Sequence, residues 1–172
     1  NHQANNMVSF LNDYNFIEQN ELTFKGRYAC AIQEAHCLVL SQLIEYTNNF
    51  KDFTSQDLVG LFSCFTNIKV SDDYKSYSTQ DLTEKKELNN LIYYTQQLLD
   101  KYNDAETSNN IDSGEAYEFH FDIVKYVIEW CSCENETTCK SIIQTLQQEK
   151  DIFLGEFVKA ILKINNMVNE LI

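Results

Sequence analysis

Proline is absent from this 172-residue chain, and glycine occurs only four times. With so few helix breakers, and with 44% hydrophobic and 23% charged residues, the chain reads as an ordinary globular protein made mostly of helices. Disordered and collagen-like classes are excluded. No run approaches the roughly 18 apolar residues of a membrane span, and no signal-peptide pattern opens the chain, so no membrane partner is expected. Basic residues are scarce. Lys+Arg 13 against Asp+Glu 26 leave a net charge of −13, and Arg27 is the lone arginine. A free-standing electrostatic clamp on nucleic acid carries the opposite sign, so any such role falls to a local site or to a larger parent. The length fits about one domain, or one domain plus a piece of another, and the opening Asn1-His2-Gln3 without a methionine reads as a fragment or a trimmed chain.

Six cysteines stand at positions 30, 37, 64, 131, 133 and 139. Five lie among apolar helical positions, a pattern that predicts reduced, buried thiols rather than a disulfide framework. Asn135-Glu136-Thr137 matches a glycosylation acceptor, a tripeptide common by chance. An intracellular protein is expected, in nucleus or cytoplasm.

Apolar residues Met7, Phe10, Leu11 and Tyr14 predict a short helix, and Phe16 to Phe24 a small hairpin around Gln19-Asn20-Glu21. Gly26 is expected to allow a sharp turn into one helix running from Arg27 to Tyr46. Thr54-Ser55-Gln56-Asp57 resembles a capping box and opens a helix through Phe65. Ser71 to Gln80 is polar and turn-rich. A long helix is predicted from Thr83, and a flexible loop from Tyr102 to Glu115. Phe119 to Cys131, Thr138 to Leu146 and Phe153 to Ile172 supply three more helices. The fold class is all-α: a helical bundle of about seven helices with a small β-hairpin near the N-terminus.

Catalytic constellations are scarce. The four glycines (26, 60, 114 and 155) are too scattered for a phosphate cradle, and no nucleophile elbow or dinucleotide pattern occurs. No catalytic residue, metal ligand or cofactor is assigned to this segment. Cys131, Cys133 and Cys139 with His120 upstream offer a zinc reading, but C-x-C-x5-C lacks the usual knuckle spacing, and thiols at a helix end are the favoured alternative. His36 and Cys37 are adjacent in sequence, so on a helix they do not face one another. The acidic pairs Asp72-Asp73, Glu84 with Glu87, and Glu134 with Glu136 read as solvated helix ends. Lys159 and Lys163 share one stripe of the last helix. Such a pair is ordinarily a solvated face, and a phosphate contact is the alternative.

The order of several segments is distinctive. Lys25-Gly26-Arg27-Tyr28-Ala29-Cys30 leads into a helix, Ser63-Cys64-Phe65 closes another, Val127-Ile128-Glu129-Trp130-Cys131 follows, and Asp151-Ile152-Phe153-Leu154-Gly155-Glu156 opens the last. This succession resembles the C-terminal helical (DSHCT) domain of superkiller/exosome-type ATP-dependent RNA helicases, over nearly the whole chain. The resemblance implies that residues 1–25 are the tail of a preceding winged-helix domain and 26–172 the helical bundle. It implies an RNA-contacting domain acting in unwinding and processing, with ATP and Mg bound by RecA-like motor domains of the parent, outside this segment. Implied partners are single-stranded RNA, those motor domains and exosome-type proteins.

Carried over residue by residue, two strand-contacting arginines fall on Lys159 and Lys163, and a base-reading acidic residue falls on Lys69. Lys25, Gly26, Arg27 and Gly155 are implied to be interdomain or structural, with Arg27 tying the hairpin to the bundle or to a neighbouring domain. Lysine neutralises phosphate but cannot supply the bidentate contacts of arginine. Glu156 stands where the family has serine, and the family's prolines are missing from residues 70–115. These departures imply a diverged member, with a viral source and a place in a viral factory or virion as one expectation. A motor-less adaptor for basic protein partners is the alternative reading.

Overall fold

The computed structural model describes residues 2–171, in which eight helices and one hairpin follow in the order α1 (His2–Asp13), β1 (Ile17–Glu18), β2 (Glu21–Leu22), α2 (Phe24–Ala31), α3 (Cys37–Tyr46), α4 (Ser55–Ser63), α5 (Lys86–Ser108), α6 (Val124–Cys131), α7 (Glu136–Lys150) and α8 (Leu154–Leu171). The all-α reading with one hairpin holds. The strands pair antiparallel, Ile17 with Leu22 and Glu18 with Glu21. Gln19 and Asn20 both take positive φ, the conformation a tight two-residue turn needs.

The extra helix comes from a break inside the segment expected to run unbroken from Arg27 to Tyr46. Thr23 Oγ1 accepts from the Gly26 N–H and starts α2 early. Ile32 turns extended, with φ −97° and ψ 124°, and ends it at Ala31. His36 then opens α3 by accepting the Val39 N–H on its ring, at 3.4 Å. The periodicity continues across the break because α2 and α3 pack on one another.

Gly26 is therefore inside a helix, not at a turn. Its requirement is close approach: a Cβ there would lie 2.1 Å from the Phe16 carbonyl oxygen. Gly26→Ala is expected to destabilise the chain by about 1–3 kcal/mol through forced backbone displacement. Urea unfolding would measure it, and an unchanged midpoint would show that the hairpin yields freely.

Asp57 completes the capping box of α4: the Thr54 N–H donates to Asp57 Oδ2 at 2.8 Å, and the Asp57 N–H to Thr54 Oγ1 at 3.2 Å. α5 begins at Lys86 rather than Thr83. The buried Asn89 side chain holds residues 80–83 as a turn, accepting from the Thr83 N–H and donating to the Gln80 and Thr83 carbonyls. At its other end α5 runs on through the polar stretch expected to be a loop. Tyr102 and Glu106, one turn apart, are buried, and the Thr107 and Asn109 side chains bond back to Asn103 and Ala105 carbonyls. Burial on one face outweighs the polarity of the other. α7 is longer than Thr138–Leu146: Asn135 caps it, and Asp151 in left-handed conformation ends it.

The chain forms two compact units. The first comprises residues up to Asp52 with Thr95–Tyr117. Its core centres on Tyr102, whose ring meets Phe10, Tyr14 and Phe16 at 5.0–6.3 Å, with Val39, Leu40 and Leu43 beside it in the buried set. The second comprises Phe53–Tyr94 with Glu118–Glu170. There α4 packs on α6, with Gly60 against Ile128 and Val124, and α6 on α7. Leu61, Phe62, Val127, Leu146, Phe157 and Ile164 are among its buried residues.

The thiols correct the expectation of burial. All six are free, yet Cys64 alone is buried; Cys30 and Cys131 are exposed, and Cys37, Cys133 and Cys139 are intermediate. They sit at helix ends and edges, where an apolar neighbour in sequence does not imply cover in space.

Candidate nucleic-acid interface

In the second unit, α8 buries Phe157, Ala160, Ile164 and Met167, at three- and four-residue spacing. Phe157 is fixed by the sole tryptophan, Trp130 of α6, in an edge-on contact at 5.3 Å. With that face held, the direction of every other position on the helix is set, and the lysines fall on its flank. Lys159 is exposed and Lys163 half-buried, one turn apart. Leu154, Val158 and Leu162 form a neighbouring exposed stripe, 51%, 45% and 58% accessible. Glu156 lies exposed in the first turn and Gly155 beside it is open, with nothing near its Cα that a side chain would meet. A carboxylate there suits the helix dipole and repels an approaching phosphate.

Four other lysines of this unit are occupied. Lys85 bonds Asp57 at 2.6 Å, Lys125 meets Glu149 at 3.2 Å, Lys140 meets Glu136 at 2.7 Å, and Lys150 lies 3.6 Å from Asp122. Lys69, exposed just after the buried Ile68, and Lys159 make no ion pair among the described residues, and neither do the exposed Lys75 and Lys86. They keep their charge available to an outside anion.

The remaining predicted positions fall in the first unit. Lys25 is buried: its ammonium donates to the Tyr14 carbonyl and to Gln42 Oε1 and lies 4.5 Å over the Phe16 ring. Burial lowers its pKa, opposed by the charge of Glu45. Arg27 is exposed, its guanidinium 5.8 Å from the ring of Phe24, which is itself 77% exposed.

His36 and Cys37 do not make a nucleophile and base. His36 is turned inward as the cap of α3, and burial lowers its pKa to about 4. Cys37 Sγ donates to Glu115 Oε1 at 3.3 Å, and burial with that carboxylate pushes the thiol up to about 12. Both groups are neutral near pH 7, so no thiolate–imidazolium pair forms. His120 is likewise committed elsewhere. Nε2 donates to the Thr66 carbonyl at 2.8 Å, Nδ1 faces the Asp122 N–H at 3.4 Å, and burial lowers its pKa.

The sequence reading missed a polar cavity of about 300 Å³ in the second unit, whose lining includes Ser76, Asp122, Lys125, Tyr126, Glu149 and Lys150. Lys150 donates to the Tyr74 carbonyl and Ser76 Oγ at 2.7 Å each, and Tyr126 donates to Glu149. Lys125 pairs with Glu149 and Lys150 with Asp122, while Asp81, also in the lining, makes no ion pair among the described residues. The signal was too dispersed to find: the lining comes from segments far apart in sequence.

A family model for the DSHCT (NUC185) domain matches residues 19–172. The chain belongs to the DSHCT family. DSHCT domains are found in RNA helicases of the superkiller type, which makes this a helicase-associated domain. No curated protein matches the chain. Among the described residues, no helix of this DSHCT domain is long and apolar enough to cross a membrane.

Proposed function

We propose that this DSHCT domain contacts single-stranded RNA through the solvent face of α8, as the C-terminal domain of an ATP-dependent RNA helicase acting in RNA unwinding or processing. The observation that carries the reading is the pair Lys159 and Lys163, one turn apart on the flank of a helix whose apolar face is anchored by Phe157, Ala160 and Ile164. Two ammonium groups at that spacing follow a phosphate backbone without reading bases. Lys69 adds an exposed cation in the same unit. ATP and Mg belong to the motor domains of the parent. The net charge of −13 makes the contact local, so the affinity of this domain alone is low and most binding energy comes from the parent.

Fluorescence anisotropy with single-stranded RNA across a salt series tests the contact. Lys159→Ala and Lys163→Ala are each expected to weaken binding and to lower the salt slope by about one unit. Binding in the intact parent that is indifferent to both substitutions would refute the assignment.

A second reading, a helical adaptor for protein partners, is favoured by the exposed Leu154–Val158–Leu162 stripe beside those lysines. Val158→Asn would separate the readings, since it makes the apolar stripe polar without adding a charge and leaves both ammonium groups in place.

A further inference from the structure

In the second unit, residues 69–78 form a polar surface loop between the buried Ile68 and the buried Thr79. Its backbone is held from beneath. The Ser76 N–H donates to Asp122 Oδ1 at 2.6 Å, and the Lys150 ammonium donates to the Tyr74 carbonyl and to Ser76 Oγ at 2.7 Å each. Both anchoring side chains are nearly out of solvent, 2% exposed for Asp122 and 13% for Lys150. The Tyr74 N–H closes a turn on the Ser71 carbonyl at 3.0 Å, and the Tyr77 hydroxyl donates to the Asp72 carbonyl at 3.2 Å. On this fixed loop Tyr74 is 42% exposed and Tyr77 71%. Single exposed rings are ordinary. Here the backbone beneath two of them is already ordered, so stacking a partner on them costs little loop entropy.

The rest of the loop is polar. Besides the two tyrosines its exposed residues are Lys69, Ser71, Asp72, Asp73, Lys75 and Ser78, and no aliphatic side chain is exposed among them. The rings therefore do not belong to a continuous apolar patch of the kind that a protein partner covers. A flat ring among polar neighbours suits the face of an unpaired base, and such stacking tolerates any base. Lys69 and Lys75 are matched in number by Asp72 and Asp73, so net charge adds nothing and the attraction comes from the rings. Lys150, which pins the loop, ends α7 four positions before Leu154 opens the helix that carries Lys159 and Lys163. We propose that Tyr74 and Tyr77 are a base-stacking platform for single-stranded RNA, each ring taking the face of one unpaired base. The platform rests on the RNA contact proposed for α8 and extends it: the α8 lysines meet phosphates, and the loop holds bases.

The test is fluorescence anisotropy of the full chain across a salt series, with labelled oligouridylate, oligoadenylate and an abasic ribose-phosphate strand of equal length. Tyr74→Ala and Tyr77→Ala are each expected to weaken binding of both base-bearing strands about five- to tenfold and to leave the abasic strand unaffected. The loss should be the same at every salt concentration, whereas Lys159→Ala lowers the salt slope. Tyr74→Phe and Tyr77→Phe keep the ring and most of the affinity; Tyr74→Leu and Tyr77→Leu, apolar but not planar, do not. Equal binding of the abasic strand, indifference of the base-bearing strands to both alanine substitutions, or undiminished binding by the leucine variants would each overturn the platform and assign the rings to a protein partner or to none. Any of these with Lys159→Ala still lowering the slope would leave the α8 contact standing. No binding of any strand would overturn the platform on this chain, and the α8 contact would then be read from Lys159→Ala in the intact parent.

Discussion

Phe157→Ala is expected to lower the unfolding free energy by about 3–5 kcal/mol, the usual range for removing a buried aromatic ring. Phe157 is 1% exposed, stands first among the buried residues of α8, and meets Trp130 edge-on. The substitution removes the ring's own transfer energy and leaves a void beside the indole that neighbouring helices fill only in part. Urea unfolding monitored by Trp130 emission measures it. Leu162→Ala is the control, because Leu162 on the same helix is 58% exposed and should shift stability by no more than about 0.5 kcal/mol. Similar losses for the two substitutions would mean that α8 is not docked through the Phe157 face, and the orientation of Lys159 and Lys163 would fall with it.

Acid is expected to weaken the first unit well before its carboxylates protonate. His36 is 2% exposed, and burial, only partly offset by the Glu115 carboxylate, takes its pKa from 6.5 to about 4. The unfolded chain therefore binds a proton near pH 6.5 that the folded chain refuses until about pH 4. Stability is fully present above pH 6.5 and falls as pH drops toward 4, by about 3 kcal/mol in all. His120 in the second unit is lowered by burial as well and acts in the same direction. Asp57, held low by its bonds to Lys85 and Thr54 against the opposing effect of burial, contributes only at lower pH. Urea midpoints between pH 8 and 4 should be flat above about pH 7 and decline below it. His36→Asn keeps a capping side chain without the titration, and should flatten part of the slope. A wild-type midpoint unchanged between pH 7 and 5 would refute this account.

Helix-forming pattern was legible wherever one face of a segment meets a core throughout its length. Leu88, Leu91, Ile92, Leu98 and Leu99 marked α5, and Phe157, Ile161, Ile164 and Val168 marked α8, because a 3.6-residue period records burial directly. The capping box at Thr54 was legible because all of its partners lie within four residues. Boundaries set by distant partners were not. Residues 102–108 look like a loop until Tyr102 is seen among Phe10, Tyr14 and Phe16. The break at Ile32 depends on a histidine serving as a cap, a role its residue type does not announce.

The candidate site divides in the same way. Two lysines four apart on one amphipathic helix put Lys159 and Lys163 on a shared stripe by helix geometry alone. That Lys25 is buried, that Lys125 and Lys150 are engaged by Glu149 and Asp122, and that Lys69 and Lys159 are not so engaged depends on side chains far apart in sequence. The same holds for Gly26, whose need is the Phe16 carbonyl beside it rather than a turn. The sequence by itself determined the helical class, the hairpin, the family and the lysine stripe, all of which rest on local spacing or on the order of segments. Tertiary structure decided which charges are free, which thiols are open to solvent and where two helices end, because each depends on packing between elements that local periodicity does not encode.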